Sequence, residues 1–408
     1  MNDSYQHDAG LLIHAWIRTP APMPARFAVV FLVMTTLVLG VHGYLGWRHI
    51  SPSGLTGAAR LAAWALVACS AVILPVSLSA RFWLRPPLAD VASWIGFVVM
   101  GLFSFVLVTT VLRDVAWLLM KASSTLPADP ERRTALLRMT NLAVLGGSAA
   151  LTGLGVWSAR RRAAIVDVTV PIRGLPAALE GFTIAQITDV HVGPTIKRGY
   201  IEAIVAGVNS IDADIVAVTG DVVDGSVADL REHIAPFANL RARHGVYLCT
   251  GNHEYYSGAD DWVAELSRLG LRCLMNEHVV VEKNGERLTV GGVTDFNAHT
   301  VLPAHQSDPQ RAFAGAPADV RRVLLAHQPR SCTAAAAAGV DLQLSGHTHG
   351  GQFIPWNFFV RLQQPFVAGL DRFNDMWVYT SRGTGYWGPP VRVGAPSEIT
   401  RLRLVAAT

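Results

Sequence analysis

Four stretches in the first 160 residues contain no Asp, Glu, Lys or Arg: 27–47, 61–80, 91–112 and 139–159. Each is about 20 residues long, the length a helix needs to cross a hydrocarbon core of ~30 Å. Basic residues bracket them: Arg26 and Arg48, Arg60 and Arg81, Arg113, then Arg138 and Arg160 to Arg162. Trp47, Trp64, Trp83, Trp94 and Trp157 stand in or near the ends, where an aromatic belt places several of them. A soluble helical bundle would need a large polar surface around these stretches. Only 16% of the 408 residues are charged, against about 25% in average soluble proteins. The expectation is a multi-pass protein of the cell membrane, in contact with membrane lipids. It has an N-terminal tail over 1–26, four transmembrane helices over 27–159 and a separate domain over 163–408.

The fourth stretch carries Gly146, Gly147, Gly153 and Gly155 and is only moderately apolar. Small residues in a membrane helix form a packing surface. The segment before it, Arg132-Arg133-Thr134-Ala135-Leu136-Leu137-Arg138, resembles a degenerate twin-arginine export signal, and both readings stay open. Sidedness does not follow from charge. Arg18, Arg26, Arg81, Arg85 and Arg160 to Arg162 share one side of a four-span chain; Arg48, Arg60, Arg113, Lys121, Arg132, Arg133 and Arg138 share the other. The equal lists leave the positive-inside rule without a preference.

Beyond about residue 163 the chain changes to short β-branched runs, helical stretches and glycine turns. Strand candidates lie at 164–172, 182–188, 215–219, 246–250, 288–293, 322–326, 341–344, 377–380 and 398–405. Helical patterns fill 198–210, 228–243, 260–269 and 331–338. Strands alternating with helices argue an α/β architecture. Cys69, Cys249, Cys273 and Cys332 show no C-x-x-C spacing, so neither a disulfide framework nor a cysteine zinc site is expected. Net charge is only +4, with no Lys/Arg-rich run interleaved with aromatics, and nucleic acid is not an expected partner.

Polar residues recur where these strands end, the place where ligands collect in α/β proteins. After 182–188 comes Asp189-Val190-His191; after 215–219, Gly220-Asp221-Val222-Val223-Asp224; after 246–250, Gly251-Asn252-His253-Glu254. After 322–326 comes His327, and after 341–344 comes Gly346-His347-Thr348-His349-Gly350-Gly351. Any one fragment is an ordinary cap, turn or core histidine. Five in order, each at a strand end, point to a metal site. Imidazole and carboxylate donors suit Mn, Fe, Zn, Co or Ni.

The series D-x-H, G-D-x-x-D, G-N-H-E, H and G-H-x-H resembles the signature of calcineurin-like metallophosphoesterases. Gly350-Gly351-Gln352 and the ending Ser381-Arg382-Gly383-Thr384-Gly385 through Pro396-Ser397-Glu398-Ile399 resemble one bacterial branch. That branch includes twin-arginine-exported phosphodiesterases and membrane-anchored UDP-diacylglucosamine pyrophosphatases. The resemblance implies two facing mixed β-sheets flanked by helices, with the site at one edge. It also implies two divalent ions: Asp189, His191 and His349 on the first, Asp221 bridging, and Asn252, His327 and His347 on the second. His253 would face the substrate, and Asp224 and Glu254 would orient histidine or asparagine side chains.

The expected function is therefore hydrolysis of a phosphoester, as a phosphodiesterase or pyrophosphatase. A hydroxide shared by the two ions would attack in line, with His253 protonating the leaving group. The run Gln352-Phe353-Ile354-Pro355-Trp356-Asn357-Phe358-Phe359-Val360-Arg361-Leu362 reads either as a buried loop or as an apolar lip at the bilayer. The lip reading suggests a lipid-linked substrate. Arg382 and Arg392 are candidate phosphate contacts. The alternative is a membrane sensor or transport protein with a regulatory metal-binding domain. It calls for charges inside the spans, and the four stretches hold none.

Overall fold

The structure, a computed structural model, describes residues 25–407. The expected tail over 1–26 therefore lies almost wholly outside the described residues. The chain divides into two compact units, one reaching to Val156 and including Gly388–Pro390, the other spanning Trp157–Trp387 with Val391–Thr408.

Helices Ala25–Ile50, Gly57–Trp83, Leu88–Ala122 and Pro130–Arg160 make up the N-terminal region. Among the described residues three, not four, are long and apolar enough to cross a membrane: Gly57–Ala80, Leu88–Ala122 and Pro130–Arg160. The expectation of four is corrected accordingly. The stretch 27–47 is helical, but several side chains at its start lie outside the described residues. Leu61, Leu66, Leu118 and Leu142 are exposed on these helices. Each such side chain forgoes ~1.5–3 kcal/mol in water relative to apolar surroundings, so the helices belong in a membrane.

The helices run past the charge-free windows and gather the flanking charges. Asp114 accepts from Arg48 Nε and Nη2 at 2.6 and 2.5 Å, from Tyr44 Oη at 2.5 Å, and from Arg113 Nε and Nη2. Arg113 also donates to Asn141. A half-buried carboxylate with two guanidiniums and a phenol is satisfied, and the network ties three helices together.

The second unit holds twelve strands: β1 Ala164–Ile172, β2 Thr183–Ile187, β3 Ile215–Thr219, β4 Val246–Cys249, β5 Arg272–Cys273, β6 Glu277–Lys283, β7 Glu286–Gly292, β8 Arg321–Leu325, β9 Leu342–Ser345, β10 Gly369–Phe373, β11 Met376–Thr380 and β12 Glu398–Ala406. They form two sheets, in the orders β1-β12-β2-β3-β4-β5 and β10-β11-β9-β8-β7-β6. Both are mixed, because β12 runs antiparallel to β2, and β10 and β6 antiparallel to β11 and β7. Alternation along each strand decides the layers. Ile215 and Ala217 of β3 join Leu325 of β8 and Leu344 of β9 in a core between the sheets. Val216 and Val218 point the other way, onto Ile201 and Val205 of helix Arg198–Asn209. Phe313, Ala335 and Ala338 cover the second sheet. This is the expected architecture of facing mixed sheets flanked by helices.

Two expectations fail locally. The helix expected over 228–243 stops at Ile234 and passes into a tight turn at Ala235–Asn239, because Pro236 lacks an N–H and clashes with the preceding turn. The strand expected over 288–293 has a hairpin partner, β6, for which no strand was expected. The turn residues Asn284 and Gly285 have φ of 53° and 82°, the two left-handed positions that an Asn-Gly pair fills readily.

Candidate metal centre

Strands β2, β3, β4, β8 and β9 end on one edge, and the loops that follow carry every residue expected at the centre. Asp189, His191, Asp221, His347 and His349 all have φ between 52° and 68°. That left-handed conformation costs a non-glycine residue about 1–2 kcal/mol and persists only where the surroundings impose it. Main-chain bonds between neighbouring loops supply that constraint. Asp189 N donates to Gly220 O at 3.0 Å, His191 N to Asp221 O at 3.1 Å, and Gly346 N to His327 O at 2.9 Å.

Three sets of donor atoms converge to within 4.8 Å of one another: Asp189, His191 and His349; His191, Asp221 and His253; Asp221, His327 and His347. The imidazole of His191 points Nε2 at Nε2 of His349 across 3.0 Å, and His347 points Nδ1 at Nε2 of His327 across 3.2 Å. Asp221 Oδ2 lies 3.8 Å from His191 Nε2 and 3.1 Å from His327 Nε2. One carboxylate oxygen thus faces both imidazole pairs. Asn252 Oδ1 is buried without a hydrogen-bond partner among the described residues. A buried acceptor with no donor is costly, and a cation would satisfy it. These donors fit divalent metal ions.

Their electrostatics divide sharply. Burial raises Asp189, while for Asp221 burial is outweighed by His327 and His253, which hold it well below the ordinary carboxylate range. Burial lowers His349 well below the usual imidazole value and, helped by the charge of His327, brings His347 down to about 3. His253 behaves oppositely: burial alone would lower it, yet Asp221 and Asp224 push it up to about 9.

The supporting residues differ in their roles. Asp224 Oδ1 lies 3.1 Å from His191 Nδ1 and 2.5 Å from His253 Nδ1, orienting both rings. Glu254 was expected to orient a histidine or asparagine side chain. It accepts instead from the backbone N–H groups of Asp221, Val222 and Gly251 at 2.7 to 3.0 Å, and so ties two loops together. Arg392 is no phosphate contact either. Its guanidinium is buried and donates to the carbonyls of His349, Arg382, Gly385 and Ala395. Arg382 donates to Glu398 at 2.7 Å.

Sequence reasoning missed Asp295, which follows β7 and is buried beside the same edge. It accepts from Gln328 Nε2 at 2.8 Å, and burial raises its pKa. It lies just beyond the strand expected over 288–293 and makes a sixth strand-to-loop junction with an acidic residue. The apolar run after His349 forms a short helix, Trp356–Val360. Phe358 and Leu362 are 70% and 81% exposed, which excludes a buried loop.

The calcineurin-like phosphoesterase family model matches residues 182–351. A "Transmembrane protein with metallophosphoesterase domain" from Danio rerio is 35% identical over 278 residues, 66% of this chain and 63% of that protein. Its namesake in Bos taurus is 37% identical over 268 residues, 63% of this chain and 60% of that protein. An uncharacterized metallophosphoesterase of Helicobacter pylori is 35% identical over 272 residues, 65% of this chain and 71% of that protein. The chain thus spans about three fifths of the length of the two animal relatives.

Proposed function

This chain belongs to the calcineurin-like metallophosphoesterase family, and from that premise we propose that it is a membrane-anchored, two-metal hydrolase of phosphoester bonds. The observation that carries this reading is the position of Asp221 Oδ2 between two facing imidazole pairs. Asp189, His191 and His349 would hold one ion, Asn252, His327 and His347 the other, and Asp221 both. When bound, the ions neutralise phosphate oxygens and lower the pKa of water. Nitrogen and oxygen donors accommodate Mn, Fe, Zn, Co or Ni.

The chain's own residues supply the rest. His253 is held protonated by Asp221 and Asp224 and presents Nε2 toward the centre, 3.9 Å from Asp221 Oδ2. From there it donates to the ester oxygen as that oxygen leaves, a role worth roughly 10²–10⁴-fold. Asp224 fixes the orientation of the ring. Glu254 keeps the Asp221 and Gly251 loops in register, so the bridging carboxylate does not drift.

The three helices long and apolar enough to cross a membrane anchor the chain as a multi-pass protein. The exposed Ile354, Trp356, Phe358, Phe359 and Leu362 support a lip that meets lipid, and with it a lipid-linked substrate. The test is metal analysis and hydrolysis of a diester, a monoester and a nucleotide-diphospho-lipid by the detergent-purified chain. Two equivalents of metal and an inactive Asp221→Asn variant are the expected result. Full activity in that variant would sink the two-metal assignment.

A further inference from the structure

Resting on the two-metal reading, we infer that Tyr256 and Trp387 are specificity-determining residues that grip a flat ring on the leaving group of a phosphodiester. Both rings border the imidazole of His253, with centroids 5.3 and 5.5 Å away and planes inclined by 65° and 72°. They are 68% and 53% exposed, whereas the core residues Trp262 and Tyr386 are 0% and 1% exposed. The His253 side chain is itself only 15% exposed. A group approaching its Nε2 therefore passes beside these two aromatic faces.

Trp387 is held there by a dedicated contact. Gln352 Nε2 donates to Trp387 O at 2.9 Å, and Gln352 Oε1 accepts from Trp387 N at 2.9 Å. Gln352 is buried and has a φ of 57°, a conformation disfavoured for any residue but glycine. Strain of this kind survives only where the surroundings over-determine it. Here it fixes an exposed indole next to the proposed acid, which makes Gln352 a positioning residue.

The chemistry of the surroundings selects the ligand. Aromatic faces recognise planar rings through stacking, whatever the ring's substituents. A second phosphate would need further cations, but the nearby arginines are engaged. Arg382 pairs with Glu398, Arg392 with main-chain carbonyls, and Arg330 with Gln363 O. One phosphate at the metals, with a ring-bearing ester group over Tyr256 and Trp387, satisfies both conditions. The substrate class is a nucleotide-like or aryl phosphodiester.

The experiment uses the full chain in detergent, loaded with metal and assayed on bis(p-nitrophenyl) phosphate. Inorganic phosphate, phenyl phosphate and adenosine 5′-monophosphate serve as competitive inhibitors. The wild-type chain is expected to bind the two ring esters more tightly than inorganic phosphate. In Trp387→Ala their inhibition constants rise about tenfold, while that of inorganic phosphate stays within about twofold. Trp387→Phe restores most of the loss, and Gln352→Ala reproduces part of it. Tyr256→Ala is read by the same criterion and covers the case in which Trp387→Ala does not fold. Equal changes for ring esters and inorganic phosphate, or no preference in the wild type, overturn the inference. A wild-type chain indifferent to both metal removal and inorganic phosphate overturns the two-metal reading beneath it.

Discussion

Asp224 Oδ1 accepts a hydrogen bond from His253 Nδ1 at 2.5 Å. The same oxygen lies 3.1 Å from His191 Nδ1, so one carboxylate orients both a proposed metal ligand and the proposed acid. Burial alone would raise Asp224; the two imidazoles hold it well below the ordinary carboxylate range. Asp224→Asn keeps the shape and removes the charge. The expected outcome is a kcat at saturating metal lower by about 10²-fold. Metal affinity should fall by roughly 10–100-fold. Steady-state kinetics and metal titration measure the two effects separately, and a wild-type kcat would remove His253 from the reaction.

Glycine matters at this edge for reasons of space. A Cβ at Gly346 would stand 2.1 Å from Asp189 Oδ2 and 2.2 Å from Thr188 Oγ1, and one at Gly251 would stand 2.2 Å from Asp221 Oδ1. Neither carboxylate can retreat, since Asp189 accepts from His347 N and Asp221 from His253 N. Gly346→Ala and Gly251→Ala should therefore lose bound metal, read by elemental analysis, although neither changes a donor. Gly199→Ala, in helix Arg198–Asn209 with nothing within 4 Å of the new atom, should retain metal and shift stability by less than about 1 kcal/mol.

Metal uptake should be linked to pH through His327. Burial alone would lower this imidazole, but Asp221 and Asp189 hold it well above the ordinary value, so it holds a proton more tightly than a free imidazole before metal binds. His347 and His349 are driven down and offer free lone pairs. A ligand must be deprotonated to bind. Uptake at His327 thus expels a proton, and affinity rises with pH until the folded-state pKa is passed. Calorimetric titration in two buffers of different ionisation enthalpy should report about one proton released near pH 7. Zero protons released would contradict this assignment.

The site was more legible in sequence than the fold that carries it. Asp189, Asp221, Asn252, His327 and His347 each follow an apolar run, and a polar residue at a strand end is visible without any tertiary information. Residues whose roles arise from packing were not visible. Arg392 sits between Val391 and Val393, and only the folded chain brings the carbonyls of Arg382, Gly385 and Ala395 to its guanidinium. Glu254 adjoins His253 and so read as a side-chain partner, yet its donors come from two loops. Tyr256 and Trp387 are distant in the chain, and no local pattern pairs them. The Asn284-Gly285 pair, by contrast, is a hairpin signal carried by the sequence itself.

The segment after His349 offers a test of what the centre serves. Trp356 and Phe359 lie with ring centroids 5.8 Å apart, and Phe358 and Leu362 are the most exposed members of the run. Large apolar side chains left in water on a membrane protein are best accounted for by lipid contact. Trp356→Ser combined with Phe358→Ser removes most of that surface without touching a proposed ligand. Turnover of a lipid-linked phosphodiester in bilayers should fall by about tenfold or more, because each buried ring contributes ~1.5–3 kcal/mol of apolar transfer. Hydrolysis of bis(p-nitrophenyl) phosphate in detergent should stay within about twofold, since the lip bears on access and not on the bond being broken. Equal loss on both substrates would mean the lip supports the fold of the centre and would remove the argument for a lipid-linked substrate.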